Sequence, residues 1–141
     1  MDKQALVKAL NEDLANEFQA IIMYTTYSAQ VKGPQRLQLV GFFQSEIPDE
    51  LGHAQFLSDK IVSLGGVPVT TPSPVPAVET PKEMLQRVLE AEQSATKGYT
   101  ERTEQARDAG EVGLAIALED LIVDETNHYE ETKKLLDKWS E

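Results

Sequence analysis

Only two histidines occur in the 141-residue chain, and each stands three residues after a glutamate. The segments are Asp49-Glu50-Leu51-Gly52-His53 and Asp124-Glu125-Thr126-Asn127-His128, both D-E-x-x-H. Residues three apart on a helix point to the same side, so each segment can offer one carboxylate and one imidazole to the same metal ion. Glu fills 16 of 141 positions. A given position is therefore Glu by chance about one time in nine, and matches at both histidines are far rarer. Cysteine is absent, which excludes disulfides, thiolate metal sites, cysteine nucleophiles and iron–sulfur clusters. Any metal must bind through oxygen and imidazole, a donor set that suits iron or manganese and leaves zinc possible.

The two motifs lie 75 residues apart, and the same displacement carries Glu17 onto Glu92, Tyr24 onto Tyr99, Leu10 onto Leu85 and Leu14 onto Leu89. This is the signature of a duplicated helical hairpin. A Glu from each of two helices, with Glu-x-x-His from each of the other two, is the donor set of carboxylate-bridged two-metal bundles. In such a site Glu17 with His53 and Glu92 with His128 are terminal ligands, and Glu50 and Glu125 bridge. Asp49 and Asp124 are placed to accept imidazole N–H groups. Burying four carboxylates without cations costs many kcal/mol, and two divalent metals offset that charge. Tyr24 and Tyr99 fall seven residues after Glu17 and Glu92, on the same helical stripe. Tyr24 reads as a hydrogen-bonding or redox-active tyrosine near the metals. Tyr99 reads as a core aromatic whose hydroxyl finds a partner. Glu46, one turn before Glu50, either guides metal inward or faces solvent.

Four long helices must bring these residues together. The first is predicted over about 3–31, with Asp2 as its cap and a stripe of Leu6, Leu10, Leu14, Glu17, Ile21 and Tyr24. The second is predicted over about 35–64, with Leu39, Phe43, Glu46, Glu50, His53, Leu57 and Ile61 on one face. Pro48 inside it predicts a kink or local bulge. Thr80-Pro81-Lys82-Glu83 is a capping box with proline at the first helical position, opening a third helix over 81–108. The fourth is predicted over 111–138. Residues 65–80 hold Pro68, Pro72, Pro74 and Pro76 and cannot be helical. At polyproline spacing they reach roughly 50 Å, more than the ~43 Å length of such a helix. This crossover can span the bundle and leave the second and third helices parallel. The fold class is thus all-α, a single-domain up-down four-helix bundle with one long crossover. Each of the four glutamates falls near the middle of its helix, so all six side chains can meet in one plane.

The remaining composition narrows the partners. The formal charge is −11, with 24 acidic and 13 basic residues, which disfavours a phosphate-contacting nucleic-acid face and attracts cations. No apolar run approaches the roughly 20 residues of a membrane span, and no secretory leader is visible. The expected location is the cytoplasm.

At this point the sequence resembles the ferritin-like superfamily, and bacterioferritin most closely. The resemblance covers nearly the whole chain. It is carried by Leu14-Ala15-Asn16-Glu17, the two D-E-x-x-H motifs and Leu64-Gly65-Gly66-Val67-Pro68. It implies a ferroxidase that binds two iron ions through Glu17, Glu50, His53, Glu92, Glu125 and His128, with Tyr24 nearby. It also implies oxidation of Fe(II) by dioxygen or peroxide, for iron storage or detoxification, in a homo-oligomer of at least two chains. The position of the bacterioferritin haem-ligating methionine is Leu51, so haem is not expected. The family's fifth helix would follow the fourth, where this sequence ends at Glu141. Dps proteins place their metal site between subunits, whereas this chain carries a full ligand set itself. A rubrerythrin-like peroxidase is the second implied reading. That family adds a glutamate three residues after the third-helix ligand, and Ala95 stands there. A third alternative is a non-catalytic, metal-stabilised bundle.

Overall fold

A computed structural model describes residues 1–139 as four antiparallel-packed helices. These are α1 (Lys3–Gln30), α2 (Arg36–Ser63), α3 (Pro81–Asp108) and α4 (Val112–Leu136). The predicted elements agree with these to within one or two residues. The largest difference is at α4, which ends at Leu136 because Asp137 turns out of helical conformation at ψ 125°. No strand occurs among the described residues, and none of their helices is long and apolar enough to cross a membrane.

Local chemistry sets the helix ends. The Asp2 carboxylate accepts from the Ala5 amide at 2.8 Å, satisfying one of the free donors of the first turn. Thr80 accepts from the Glu83 amide at 3.2 Å and donates its hydroxyl to the Glu83 carboxylate. Gly65 closes α2 at φ 88°, a left-handed conformation that glycine adopts without a Cβ clash. α2 runs unbroken through Pro48.

Cross-helix contacts fix the topology. Tyr99 meets Glu17 and Arg102 meets Asp13, so α1 and α3 are antiparallel. His53 meets Asp124 and His128 meets Asp49, so α2 and α4 are antiparallel too. With short turns inside each hairpin, α2 and α3 run parallel, as the long crossover requires. That crossover lies along α1. Val69 N–H donates to Asn11 at 2.9 Å, Ser73 N–H donates to the Ala15 carbonyl at 3.0 Å, and Tyr27 O–H donates to the Pro76 carbonyl at 2.6 Å. Gly66 permits this approach, because a Cβ there would run into the Val7 side chain.

The core is divided. Leu6, Leu10, Leu14, Leu57, Ile61, Leu114 and Leu118 pack in one cluster. Met23, Tyr24, Tyr27, Leu39, Phe43, Met84 and Leu85 pack in a second. Along α1, Glu17 falls between these clusters, so charged groups occupy the waist of the bundle with apolar layers above and below.

Candidate metal centre

Helical spacing delivers six ionisable side chains to that waist. Glu17, Glu50, Glu92 and Glu125 are each 2% exposed, His53 is 4% and His128 is 5% exposed. Ionisable groups are almost never this buried unless they are paired or bind metal. Glu17, Glu50, His53 and Glu125 each bring a donor atom into one group, all within 4.8 Å of one another. His53 Nδ1 lies 3.1 Å from Glu125 Oε1 and 3.4 Å from Glu17 Oε1. His128 Nδ1 lies 3.2 Å from Glu50 Oε1 and 3.8 Å from Glu125 Oε2. Glu92 stands outside the four-residue group and accepts from the Tyr24 hydroxyl at 2.9 Å.

Both imidazoles are oriented from outside the cluster. His53 Nε2 is 2.8 Å from Asp124 Oδ2, and His128 Nε2 is 3.0 Å from Asp49 Oδ2. Each aspartate therefore serves the histidine of the other hairpin. An Nε2–H donated to a carboxylate leaves the Nδ1 lone pair facing inward, which is the tautomer a metal needs. His128 Nε2 also lies 2.6 Å from Glu46 Oε2, so Glu46 faces the imidazole.

The donor atoms themselves test whether the site suits metal. Glu17 Oε2, Glu50 Oε1, His53 Nδ1, Glu92 Oε1, Glu125 Oε1 and His128 Nδ1 are all buried without a hydrogen-bond partner. Each of the six residues thus leaves one atom free. Buried polar atoms normally find partners, and a coordinated cation is one way to satisfy them. The Glu17, Glu50, His53 and Glu125 group suits a divalent ion of the iron, manganese or zinc kind, and a second group of possible donors is formed by Glu46, Asp49 and His128.

Crowding of these groups shifts their proton affinities. Desolvation pushes the His53 imidazole down, but Glu125, Glu17 and Asp124 outweigh it and raise the pKa to about 11. His128 is raised to about 9 against the same desolvation, by Glu46, Glu125 and Asp49. Burial raises Glu92 to about 8, although the Thr132 and Tyr24 hydroxyls pull it the other way. Burial and the neighbouring Glu17 and Glu125 carboxylates hold Glu50 well above the usual carboxylate range. Glu17 is lowered: burial opposes ionisation, but the adjoining Glu50 and His53 groups and the Tyr99 hydroxyl prevail. The shifts thus separate the carboxylates into charged and neutral forms, as packed like charges require.

A cavity of about 350 Å³ between α1 and α3 reaches this cluster. Its inner wall carries Glu17, Glu50, Glu92, Glu125, Tyr24 and Tyr99. Three features were not legible in the sequence. Tyr99 donates to Glu17, so this core aromatic serves one candidate ligand as Tyr24 serves another. Asp13 and Arg102 form a buried ion pair beside the site. Thr132 is fully buried near Glu92. Asp13 does fall on the Leu6–Leu10–Glu17 stripe, and an acid there was the available signal.

Comparison with known proteins shows the family and the fold. The ferritin-like domain profile matches residues 7–141. A ferritin-like di-iron-carboxylate protein of Bacillus anthracis superposes with a TM-score of 0.94 at 47% identity, over 96% of this chain and 98% of that one. Bacterioferritin BfrA of Mycobacterium tuberculosis is 27% identical over 140 residues, covering 96% of this chain and 88% of the relative. The bacterioferritin of Rhodobacter capsulatus, solved with a metal-free dinuclear site and haem iron, superposes with a TM-score of 0.85 at 25% identity, over 95% and 84% of the two chains. Dps proteins share the fold at lower identity.

Proposed function

The chain belongs to the ferritin-like domain family, and from that premise we propose that it is a ferroxidase that binds two Fe(II) ions as substrate and oxidises them. The observation that carries this reading is the set of six buried donor atoms without partners, one from each of Glu17, Glu50, His53, Glu92, Glu125 and His128. Glu17 with His53, and Glu92 with His128, hold one ion each. Glu50, set against His128, and Glu125, set against both histidines, would bridge the two ions.

Each Fe(II) gives up one electron. Dioxygen takes the pair with two protons to give hydrogen peroxide, or peroxide takes it with two protons to give two waters. The carboxylates favour the harder Fe(III) product. Loading requires the protons on His53, His128, Glu50 and Glu92 to leave, so metal uptake releases acid. Asp124 and Asp49 keep each Nδ1 aimed inward as this happens. Tyr24 holds Glu92 by its hydroxyl and is the tyrosine proposed to act at the centre. The α1–α3 cavity admits a small oxidant to the inner carboxylates. Leu51 offers no thioether for haem. The setting is iron storage or detoxification in a homo-oligomer. Exposed Leu37, Leu51 and Val62 on α2, with Val112, Ile116 and Val123 on α4, supply apolar surface for assembly.

Anaerobic metal analysis tests the site, and stopped-flow mixing with dioxygen or peroxide tests the reaction. The expected result is two Fe(II) per chain, with fewer in Glu17→Ala and His128→Ala, and rapid formation of Fe(III). Unchanged metal content in both variants would overturn the assignment. Rapid turnover of peroxide alone would move the reading to a peroxidase.

A further inference from the structure

The duplication that unites the two halves also exposes where they differ. On α1, Asp13 lies one turn before Glu17, and on α3, Arg102 lies one turn after Tyr99. Tyr99 donates to Glu17. Arg102 Nε donates to Asp13 Oδ2 at 2.7 Å, and its terminal nitrogen donates to Asp13 Oδ1 at 3.1 Å. Both charged residues are 6% exposed. Two links one turn apart therefore tie α1 to α3 at this point. The guanidinium–carboxylate fork is the more directional of them, since it fixes separation and rotation together.

The repeat places Val88 and Tyr27 where that pair would recur beside Glu92. Tyr27 instead donates to the Pro76 carbonyl in the crossover. The Glu92 side thus keeps the tyrosine link, Tyr24 to Glu92, and lacks the ion pair one turn away. Its histidine differs as well. His128 carries Glu46 at 2.6 Å in addition to Asp49, whereas the repeat position of Glu46 beside His53 is Leu121.

We propose that Asp13 and Arg102 are positioning residues that fix Glu17 through Tyr99, making the Glu17/His53 position the tighter of the two and the first to fill. This rests on the dinuclear reading above. A ligand held in place before the metal arrives loses less freedom on binding, and removing such outer supports typically weakens metal affinity about 10- to 100-fold. A buried ion pair contributes little net stability compared with apolar residues of similar size, so a role in orientation accounts for its presence on one side only.

The test is anaerobic Co(II) binding to the full chain, followed by calorimetry and the visible Co(II) bands. Glu17→Ala and Glu92→Ala identify the two steps. The double variant Asp13→Val with Arg102→Tyr gives the Glu17 side the residues found beside Glu92. The expected outcome is two steps in the parent, with the tighter one lost in Glu17→Ala. In the double variant that step weakens by about 10- to 100-fold while the second holds. A tighter step lost in Glu92→Ala, or an unchanged first step in the folded double variant, overturns the proposal. Should the double variant fail to fold, Tyr99→Phe cuts the same support, and an unchanged first step there overturns it equally. Two ions bound with equal affinity sink this inference alone, whereas no Co(II) bound by the parent sinks the dinuclear reading itself.

Discussion

The hairpins α1–α2 and α3–α4 carry the same candidate ligand residues at a constant displacement, yet their surroundings have diverged. In one, Glu17 is backed by Tyr99 and the buried Asp13–Arg102 pair, and His53 has Leu121 at the repeat position of Glu46. In the other, Glu92 is backed by Tyr24, with Val88 and Tyr27 in place of the ion pair, and His128 faces Glu46. The protonation pattern follows this division. Glu17 is pushed towards its charged form, while Glu92 is raised to about 8. The six donors are what the duplication kept. The groups one layer out differ between the two sets of candidate donors, and this difference is what the proposed inequality of the half-sites rests on.

The largest expected effect comes from breaking the ion pair on one side only. Arg102→Ala leaves Asp13 buried without a counter-charge and is expected to destabilise the metal-free protein by about 3–5 kcal/mol. Urea unfolding measures this, and a loss below 1 kcal/mol would show that Asp13 simply takes up a proton or reaches water. The tyrosines sharpen the comparison further. At pH 7 Glu17 is ionised, so its bond from Tyr99 is charge-assisted, while Tyr24 donates to a carboxyl that is mostly protonated. Tyr99→Phe should therefore cost about 1.5–3 kcal/mol and Tyr24→Phe about 1 kcal/mol. Equal losses would contradict the assigned charge states.

The pH dependence gives a smaller, graded effect with a definite sign. His53 and His128 are raised to about 11 and about 9, so the stability they contribute is complete below the unfolded histidine pKa and is lost as pH rises through those values. Glu92, raised to about 8, binds its proton more tightly when folded, so it also favours the folded state less as pH rises from the ordinary carboxylate range to about 8. Metal-free stability should thus fall on going from pH 6 to pH 9. Bound metal replaces those protons, so the gain in Tm on adding Co(II) should be larger at pH 8.5 than at pH 6. A gain that shrinks with pH would contradict this. The smallest effect is expected for Glu46→Gln, which removes one charge from beside His128 and should lower that imidazole's pKa without altering His53, as NMR would show.

Much of this was legible in the sequence because helical periodicity and the duplication report the same residues twice. Glu17, Glu50, Glu92, Glu125 and both histidines lie on apolar stripes, and the capping residues and prolines mark the helix ends. What stayed hidden depends on packing between helices. Spacing shows that Asp49 and Asp124 flank Glu50 and Glu125, but only the antiparallel register of α2 and α4 gives each one to the opposite histidine. Tyr99 and Glu17 are partners 82 residues apart, and Asp13 and Arg102 are 89 apart. No local pattern pairs such residues until α1 and α3 are docked.

Diffraction at the iron edge, from crystals grown anaerobically with Fe(II), tests the central claim most directly. Two anomalous peaks per chain are expected, one bounded by Glu17 and His53, one by Glu92 and His128, with Glu50 and Glu125 between them. No peak among these residues, with their side chains packed as in the metal-free protein, would contradict the account.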